Sequence, residues 1–436
     1  MSETDKEDIV LQAARTTAEG RLFRLLIGAL ILVSAAAQFA LVPVMPVYAR
    51  RLGLSGFEQG MVLGATGLAT LVVSVPAGTL ADRFGARRIT LAAGLLMAVA
   101  TAAQALGGGF AGLLAARLAF GAGYGMVWTA GLCWLASAVA GGPPALGGSV
   151  ASAGVGGVAG PAVSGALVQS LGLAVPLLVT AAGFAVITAG LAVLRVSPGP
   201  AAPYQANKPG RRAAQANRDL VGAAAAVVTA GLSTGVCALL VPVRLQAAGA
   251  SPGQIGLAFA AAGILFAVGS ALTAAVGRRA VNLPVTCGGM LVLAAALSLA
   301  VVGRTALPLV AMLCVTTAAR SVLWTVSYPL AASAGASSGA SSGASSGAGT
   351  GLGASVGLLN VIWAATAVLG PLGAGVAAAH LGAAAAFGLT EGVCAAALAV
   401  TAALTWHGPR RPARAVPGSS PTPHPGRTRS PSARPS

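Results

Sequence analysis

The chain has 436 residues, of which 56% are hydrophobic and only 8% charged, and its formal net charge is +17. A soluble domain carries about 25% charged residues, so the composition excludes a soluble globular protein and requires a membrane protein with many spans. The basic balance does not point to nucleic acid, because the arginines lie in short loops and a tail rather than on a folded basic face.

A spanning helix needs about 20 mostly apolar residues. Twelve such runs occur, near 22–48, 57–81, 88–107, 110–139, 146–171, 173–194, 220–246, 253–276, 284–303, 306–330, 351–379 and 382–406. Residues 1–21 are polar and acidic and carry no cleavable signal pattern, so they are expected as a cytoplasmic N-terminal segment. The first six runs form one half, 22–194, and the last six a second half, 220–407. Between them, 195–219 is rich in Pro and basic residues and reads as a cytoplasmic linker. Residues 332–350 hold a low-complexity Ala-Ser-Ser-Gly repeat, expected as a loop. Residues 408–436 form a Pro/Ser/Arg tail, expected to be disordered and able to lie against anionic lipid. Basic residues fall on alternate loops: Arg83, Arg87 and Arg88, the linker, Arg278 and Arg279, and the tail share one side. The positive-inside rule puts that side, and both termini, in the cytoplasm of a cell whose inner membrane holds the chain.

The five cysteines, Cys133, Cys237, Cys287, Cys314 and Cys394, stand alone inside apolar runs, with neither metal spacing nor disulfide pairing, and are expected as small packing residues. No Ser/His/Asp set, metal cluster or paired carboxylates occur in the pattern, so an enzyme, a cofactor and a bound metal are not expected.

The halves echo each other. Pro46, Gly53, Ser55, Gln59 and Gly60 are answered by Pro242, Gly249, Ser251, Gln254 and Gly256. Gly78 with Arg87-Arg88 is answered by Gly269 with Arg278-Arg279, Arg117 by Arg320, and Gly160-Pro161 by Gly370-Pro371. Echoes in one order predict a duplicated bundle.

Four charges interrupt the apolar sequence at Gly78-Thr79-Leu80-Ala81-Asp82-Arg83-Phe84-Gly85-Ala86-Arg87-Arg88. Hydrocarbon excludes unpaired charge, so this stretch is a loop at a membrane face. Gly78, Asp82, Arg83, Gly85 and Arg88 fall at the spacing of the loop between the second and third helices of the major facilitator superfamily of transporters, which the chain therefore resembles over residues 20–407. The resemblance implies an all-α membrane protein with twelve transmembrane helices in two pseudo-symmetric six-helix halves. It also implies that the loop, with Arg87 adding a charge, helps hold one access state, Asp82 meeting a helix N-terminus of the second half.

Other residues carry the resemblance further. Arg117, deep in the fourth span, sits in a pattern similar to one associated with proton-coupled members, with Phe120 in place of the usual Gln. Gly156, Gly160, Pro161 and Gly165 resemble the antiporter motif of the efflux branch, with Ser164 where a glycine is usual. Pro43 and Pro46 resemble a paired-proline pattern of drug–proton antiporters and are expected to distort the end of the first span. Glu391 is the acidic residue deepest in an apolar run and is a second proton-coupling candidate beside Arg117; Asp82 and Glu58 lie at membrane faces. Gln38, Arg320 and Trp324 are cavity candidates, and His380 is expected at an outer helix end.

The expected function is secondary active transport by alternating access, with proton-coupled export of a small lipophilic compound. The partners are then a small-molecule substrate, protons and the lipid bilayer, with no nucleic acid, and a monomer is expected. The shortage of membrane carboxylates favours an alternative, uptake or facilitated diffusion of a metabolite. A non-transporting sensor or assembly factor on the same fold is the alternative of another class.

Overall fold

A computed structural model describes residues 3–138, 143–194, 213–302, 305–338 and 350–406, and among them there is no strand. The first span is α1 (Glu3–Ala40) and α2 (Met45–Leu52). α3 (Gly56–Phe84) and α4 (Ala86–Leu106) follow. The fourth span is α5 (Gly109–Met126), a π-helical turn (Val127–Gly131) and α6 (Leu132–Ala138). α7 (Pro143–Leu171) and α8 (Ala174–Val193) complete the first half. The second half is α9 (Ala213–Ala247), α10 (Pro252–Val276), α11 (Leu283–Val302), α12 (Ala306–Ser338), α13 (Thr350–Leu381) and α14 (Ala383–Trp406). Among the described residues, eleven spans are long and apolar enough to cross a membrane. The twelfth, α7, is a continuous helix whose apolar residues are diluted by glycine, serine and proline. Large apolar side chains such as Leu25, Val72, Val99 and Val186 are exposed on the outside of the bundle, as a lipid-facing surface requires.

The boundaries differ from expectation where local chemistry decides. Residues 3–21 continue α1, and 213–219 form the first turns of α9. α12 runs on to Ser338 through alanines expected in a loop, alanine being the best helix former. The remaining linker (195–212), repeat (339–349) and tail (408–436) lie outside the described residues.

The duplication holds at the level of single contacts. α3 and α10 each begin with a capping box, Ser55 with Glu58 and Ser251 with Gln254, after glycines in positive φ, Gly53 at 64° and Gly249 at 89°. The equivalent of Gln254 is therefore Glu58, one residue before the Gln59 assigned from sequence. At the same offset along the chain, the Tyr48 hydroxyl donates to the Gln104 carbonyl (2.8 Å), and the Arg244 guanidinium donates to the Ala300 carbonyl. One device thus ties the end of each half's first span to the end of its third.

The first spans differ in an instructive way. Pro43 and Pro46 remove two backbone donors, and the helix gives way to a turn over 41–44. The second half keeps the equivalent of Pro46, Pro242, but has Leu239 where the first has Pro43, and α9 runs unbroken.

The halves meet at two related crossings. α3 packs on α13, and α7 on α10. A Cβ on Gly60 would strike the Pro371 carbonyl, and one on Gly256 the Pro161 carbonyl. Close approach continues through Gly56 with Gly375 and Gly67 with Ala367 at the first crossing, and through Gly165 with Pro252 and Gly263 with Val158 at the second. All of these lie toward the end that carries the α2–α3 and α9–α10 turns. An apolar cluster containing Leu41, Val44, Met45, Leu113, Val236, Cys237 and Leu240 closes that end. At the opposite end Leu80, Phe84, Leu272 and Val276 are exposed. By helix rise, the charged loop at Asp82 is about 33 Å from Gly60.

Replacing Gly60 or Gly256 with valine is expected to force the closed end apart. In protein carrying Cys237 as its sole cysteine, labelling by a hydrophilic maleimide should rise about tenfold, the equivalent of ~1.4 kcal/mol, with the protein still monodisperse. Unchanged labelling would show that these crossings do not hold the end shut.

Candidate functional site

Two arginines lie inside the bundle, one in the fourth span of each half, although at the offset that relates the capping boxes Arg117 matches Leu313 and Arg320 matches Tyr124. Arg117 on α5 is 1% exposed and Arg320 on α12 is 8% exposed. The Arg117 guanidinium donates to Gln38 Oε1 on α1 (3.1 Å) and stacks over the Phe120 ring, 5.1 Å from its centroid. The residue that departs from the resembled pattern thus supplies a π face in place of an amide. Arg320 donates to Thr234 Oγ1 on α9 (2.9 Å) and to Thr317 on its own helix. Thr234 is the repeat equivalent of Gln38, at the offset that relates the capping boxes. Each half therefore holds a buried guanidinium against a neutral polar side chain of its first helix, and Gln38, expected in a cavity, is brought to Arg117.

Aromatic rings continue from both arginines. Phe120, Tyr124 and Trp128 follow Arg117 at helical spacing, with centroid separations of 6.1 and 5.9 Å. Trp324 and Tyr328 follow Arg320, 5.6 Å apart, and Trp363 on α13 meets Trp324 at 6.3 Å. Trp363 packs against apolar clusters of both halves. The Tyr328 hydroxyl donates to Asn360 Oδ1 (2.9 Å). Trp324 is expected here; Tyr124, Trp128, Tyr328 and Trp363 are not, although the three- and four-residue steps that lead from the arginines to Tyr124, Trp128 and Tyr328 are readable in the sequence. The π-helical turn that follows Tyr124 holds Trp128 and Thr129, and π-bulges recur at functional sites.

Ser164 has a definite partner. The break in the first span leaves the Ala40 carbonyl without its helical donor, and Ser164 Oγ on α7 supplies one (2.7 Å). The second half has Ala374 at the equivalent position and no break to serve. The glycines of this stretch divide between two neighbours. Gly156 and Gly160 lie against the α1 backbone at Leu32 and Ala36, while Pro161 and Gly165 meet α10 of the other half. Gly370-Pro371 on α13 repeats this, with Gly370 on α9 and Pro371 on α3. Pro43 and Pro46 are both buried at the closed end.

The loop at the other end makes its described contacts within the first half. Gly85 turns the chain at φ 90°. Arg87 donates to the carbonyls of Ala192 (2.6 Å) and Leu194 (3.3 Å), satisfying the C-terminus of α8, where a cation is favoured. Arg83 lies over the Phe84 ring, and Gly78 lies close to Thr129 of the π-helical turn. Asp82 and Arg88 are exposed. Glu391 accepts from Ser298 Oγ (2.7 Å) in the seam between α11 and α14, apart from both arginines. Glu58 is occupied in its capping box, and His380 is in the last turn of α13.

Ser164→Ala should leave the Ala40 carbonyl buried and unpaired and cost roughly 1–3 kcal/mol. Thermal unfolding in detergent measures this; a midpoint equal to that of the unaltered protein would show that another donor takes over.

Comparison with known proteins follows the same outline. The model of the Major Facilitator Superfamily matches residues 27–358. Quinolone resistance protein NorA of Staphylococcus aureus is 36% identical over 86 residues, 20% of this chain and 22% of that protein. The arabinose-proton symporter of Bacillus subtilis (strain 168) is 34% identical over 99 residues, 23% of this chain and 21% of that protein. The matched stretches thus span about a fifth of these curated relatives. A bacterial homolog of the human lysosomal transporter Spinster, in an inward-facing and occupied conformation, superposes with a TM-score of 0.67 at 16% identity, covering 88% of this chain and 96% of that one. The human organic anion transporter MFSD10 (TETRAN) gives 0.59 at 18% identity, covering 88% and 99%. With the family model spanning most of its length and the duplicated twelve-helix fold in place, the chain belongs to the Major Facilitator Superfamily.

Proposed function

We propose that this protein exports a small lipophilic compound across the inner membrane by alternating access, with proton entry as the driving force. The observation that carries the reading is closure at one end alone. The halves touch backbone to backbone at the α2–α3 end, while the end bearing Asp82 keeps Asp82, Arg83 and Arg88 exposed. With the arginine-rich loops and both termini in the cytoplasm, this is an inward-open state. Antiport is supported by the Gly156–Gly165 packing face, by Arg117 in the bundle, and by the short similarity to a relative named for quinolone resistance. In this reading Asp82 docks on the second half when the cytoplasmic end closes, an interaction with a helix terminus worth about 0.3–2 kcal/mol. Arg117 is the coupling residue in this reading. Glu391, hydrogen-bonded to Ser298 in a peripheral seam, is the secondary proton-coupling candidate.

Facilitated diffusion or uptake is the second reading. It is favoured by one observation: the described partners of Arg117 and Arg320 include no carboxylate that could exchange a proton with the substrate.

Proteoliposomes with an imposed pH gradient and an internal pH dye separate the two. Proton antiport predicts that a transported compound dissipates the gradient with the unaltered protein and not with Arg117→Ala. Equilibration of labelled compounds without proton movement would replace antiport by the second reading. Asp82→Asn is expected to slow turnover several-fold while leaving equilibrium binding near its original value. Unchanged turnover would remove Asp82 from the gating step.

A further inference from the structure

We infer that the substrate is an organic anion with an aromatic body, and that the buried guanidiniums of Arg117 and Arg320, one in each half, are what favour its negative charge. The inference rests on the transport reading above and names the substrate class of that site. Buried charges in proteins are normally paired or multiply hydrogen-bonded, because desolvation penalises the charged form. In a membrane span an ionisable residue without a partner marks a ligand or ion path. Here the described partners of both guanidiniums are neutral: an amide and a ring for Arg117, two hydroxyls for Arg320. Arg117 Nε is buried without a hydrogen-bond acceptor.

The described carboxylates stand elsewhere. Glu19 is exposed on α1, Glu58 caps α3, Asp82 lies in the loop at the far end, and Glu391 is held by Ser298. Asp219 is in the opening turns of α9, roughly 22 Å along the helix from Thr234. Both arginines border the one apolar cluster that seals the closed end. Leu113, one turn before Arg117, belongs to it, as do Ala319 and Leu323, which flank Arg320, and Cys237, which lies within electrostatic reach of Arg320. From this seal the half-buried rings of Trp128, Trp324, Tyr328 and Trp363 lead toward the other end. Such a lining suits a flat apolar body with one oxyanion, since a guanidinium fork matches carboxylate and phosphate geometry. A cation would meet two positive charges and no described counter-charge.

The test uses the full-length protein in lipid nanodiscs and tritiated probes that share a ring system: 2-naphthoate, 2-naphthyl phosphate, neutral 2-naphthamide and 2-naphthylmethylammonium, with the matching anthracene set. The inference predicts that an anion of at least one set binds about tenfold or more tighter than its neutral and cationic partners. Arg117→Gln and Arg320→Gln should each erase most of that preference while leaving amide binding and the unfolding temperature unchanged, and Arg→Lys should restore part of it. The carboxylate and phosphate arms tell the two oxyanions apart. Absence of charge preference in both sets, preference for the ammonium, or a preference that survives both glutamine variants overturns the inference. Flux in proteoliposomes separates this from the transport reading. Anions that bind but do not cross leave the site standing and remove export; neutral or cationic compounds that cross without any anion preference do the reverse.

Discussion

Lipid is as apolar as a leucine side chain, so helices inside a membrane gain little by hiding apolar surface from one another and depend on close packing instead. In this protein that constraint concentrates on two glycine-backed crossings, where Gly60 lies on the Pro371 carbonyl and Gly256 on the Pro161 carbonyl. A single added carbon at either would collide with backbone, which has no rotamer with which to retreat. The crossings are related by the internal repeat, they hold the halves together at one end, and they leave the other end to the charged loops. Each prolyl carbonyl is paired with a preceding glycine, Gly160 or Gly370, that lets the same helix lie against the first helix of its own half. α7 and α13 are thereby pressed between a partner inside the half and a partner across it. A change in either contact is felt in the other.

The polar groups follow the same duplicated plan, with differences that carry meaning. Gln38 and Thr234 occupy one repeat position and each takes a guanidinium. Tyr48 and Arg244 occupy another and each takes a carbonyl from the end of a third span. The break at 41–44 has no counterpart in the second half, and neither does the hydroxyl of Ser164 that answers it. The first half thus carries a bent, hydrogen-bonded helix where the second carries a straight one, at the depth of the buried arginines. That asymmetry distinguishes the surroundings of Arg117 from those of Arg320.

Much of this was readable in the residues, because the signals were of the strong kind. Twelve apolar runs, a charged interruption at Asp82, and repeated Gly-Pro and Gly-x-Ser elements specified a duplicated bundle, and the helices fall where those runs lie. What escaped was geometry that several residues set jointly. Pro43 and Pro46 announced a distortion, but only the packing of α7 shows Ser164 answering it. Gln59 looked like the partner of Gln254; the capping boxes instead pair Glu58 with Gln254. Arg87 belonged to a loop motif in sequence, yet it caps α8, because side-chain reach across helices leaves no mark on local spacing. The π-helical turn and the partner of Glu391 likewise depend on neighbours far along the chain. Helix rotation, which decides whether Tyr124 or Trp363 faces inward, is invisible where nearly every residue is apolar or small.

Alternating access requires that the two ends open in turn around the buried arginines. Spin labels provide the most direct test, one pair at Arg83 and Arg279 across the end with the charged loops, and a second pair at Arg51 and Ala248 across the closed end; all four positions are exposed. Double electron–electron resonance distances would be recorded in nanodiscs across a range of pH, with and without bound compound. Alternating access predicts that the first distance shortens in the conditions where the second lengthens. Two distances that stay fixed, or that change in the same direction, would contradict it.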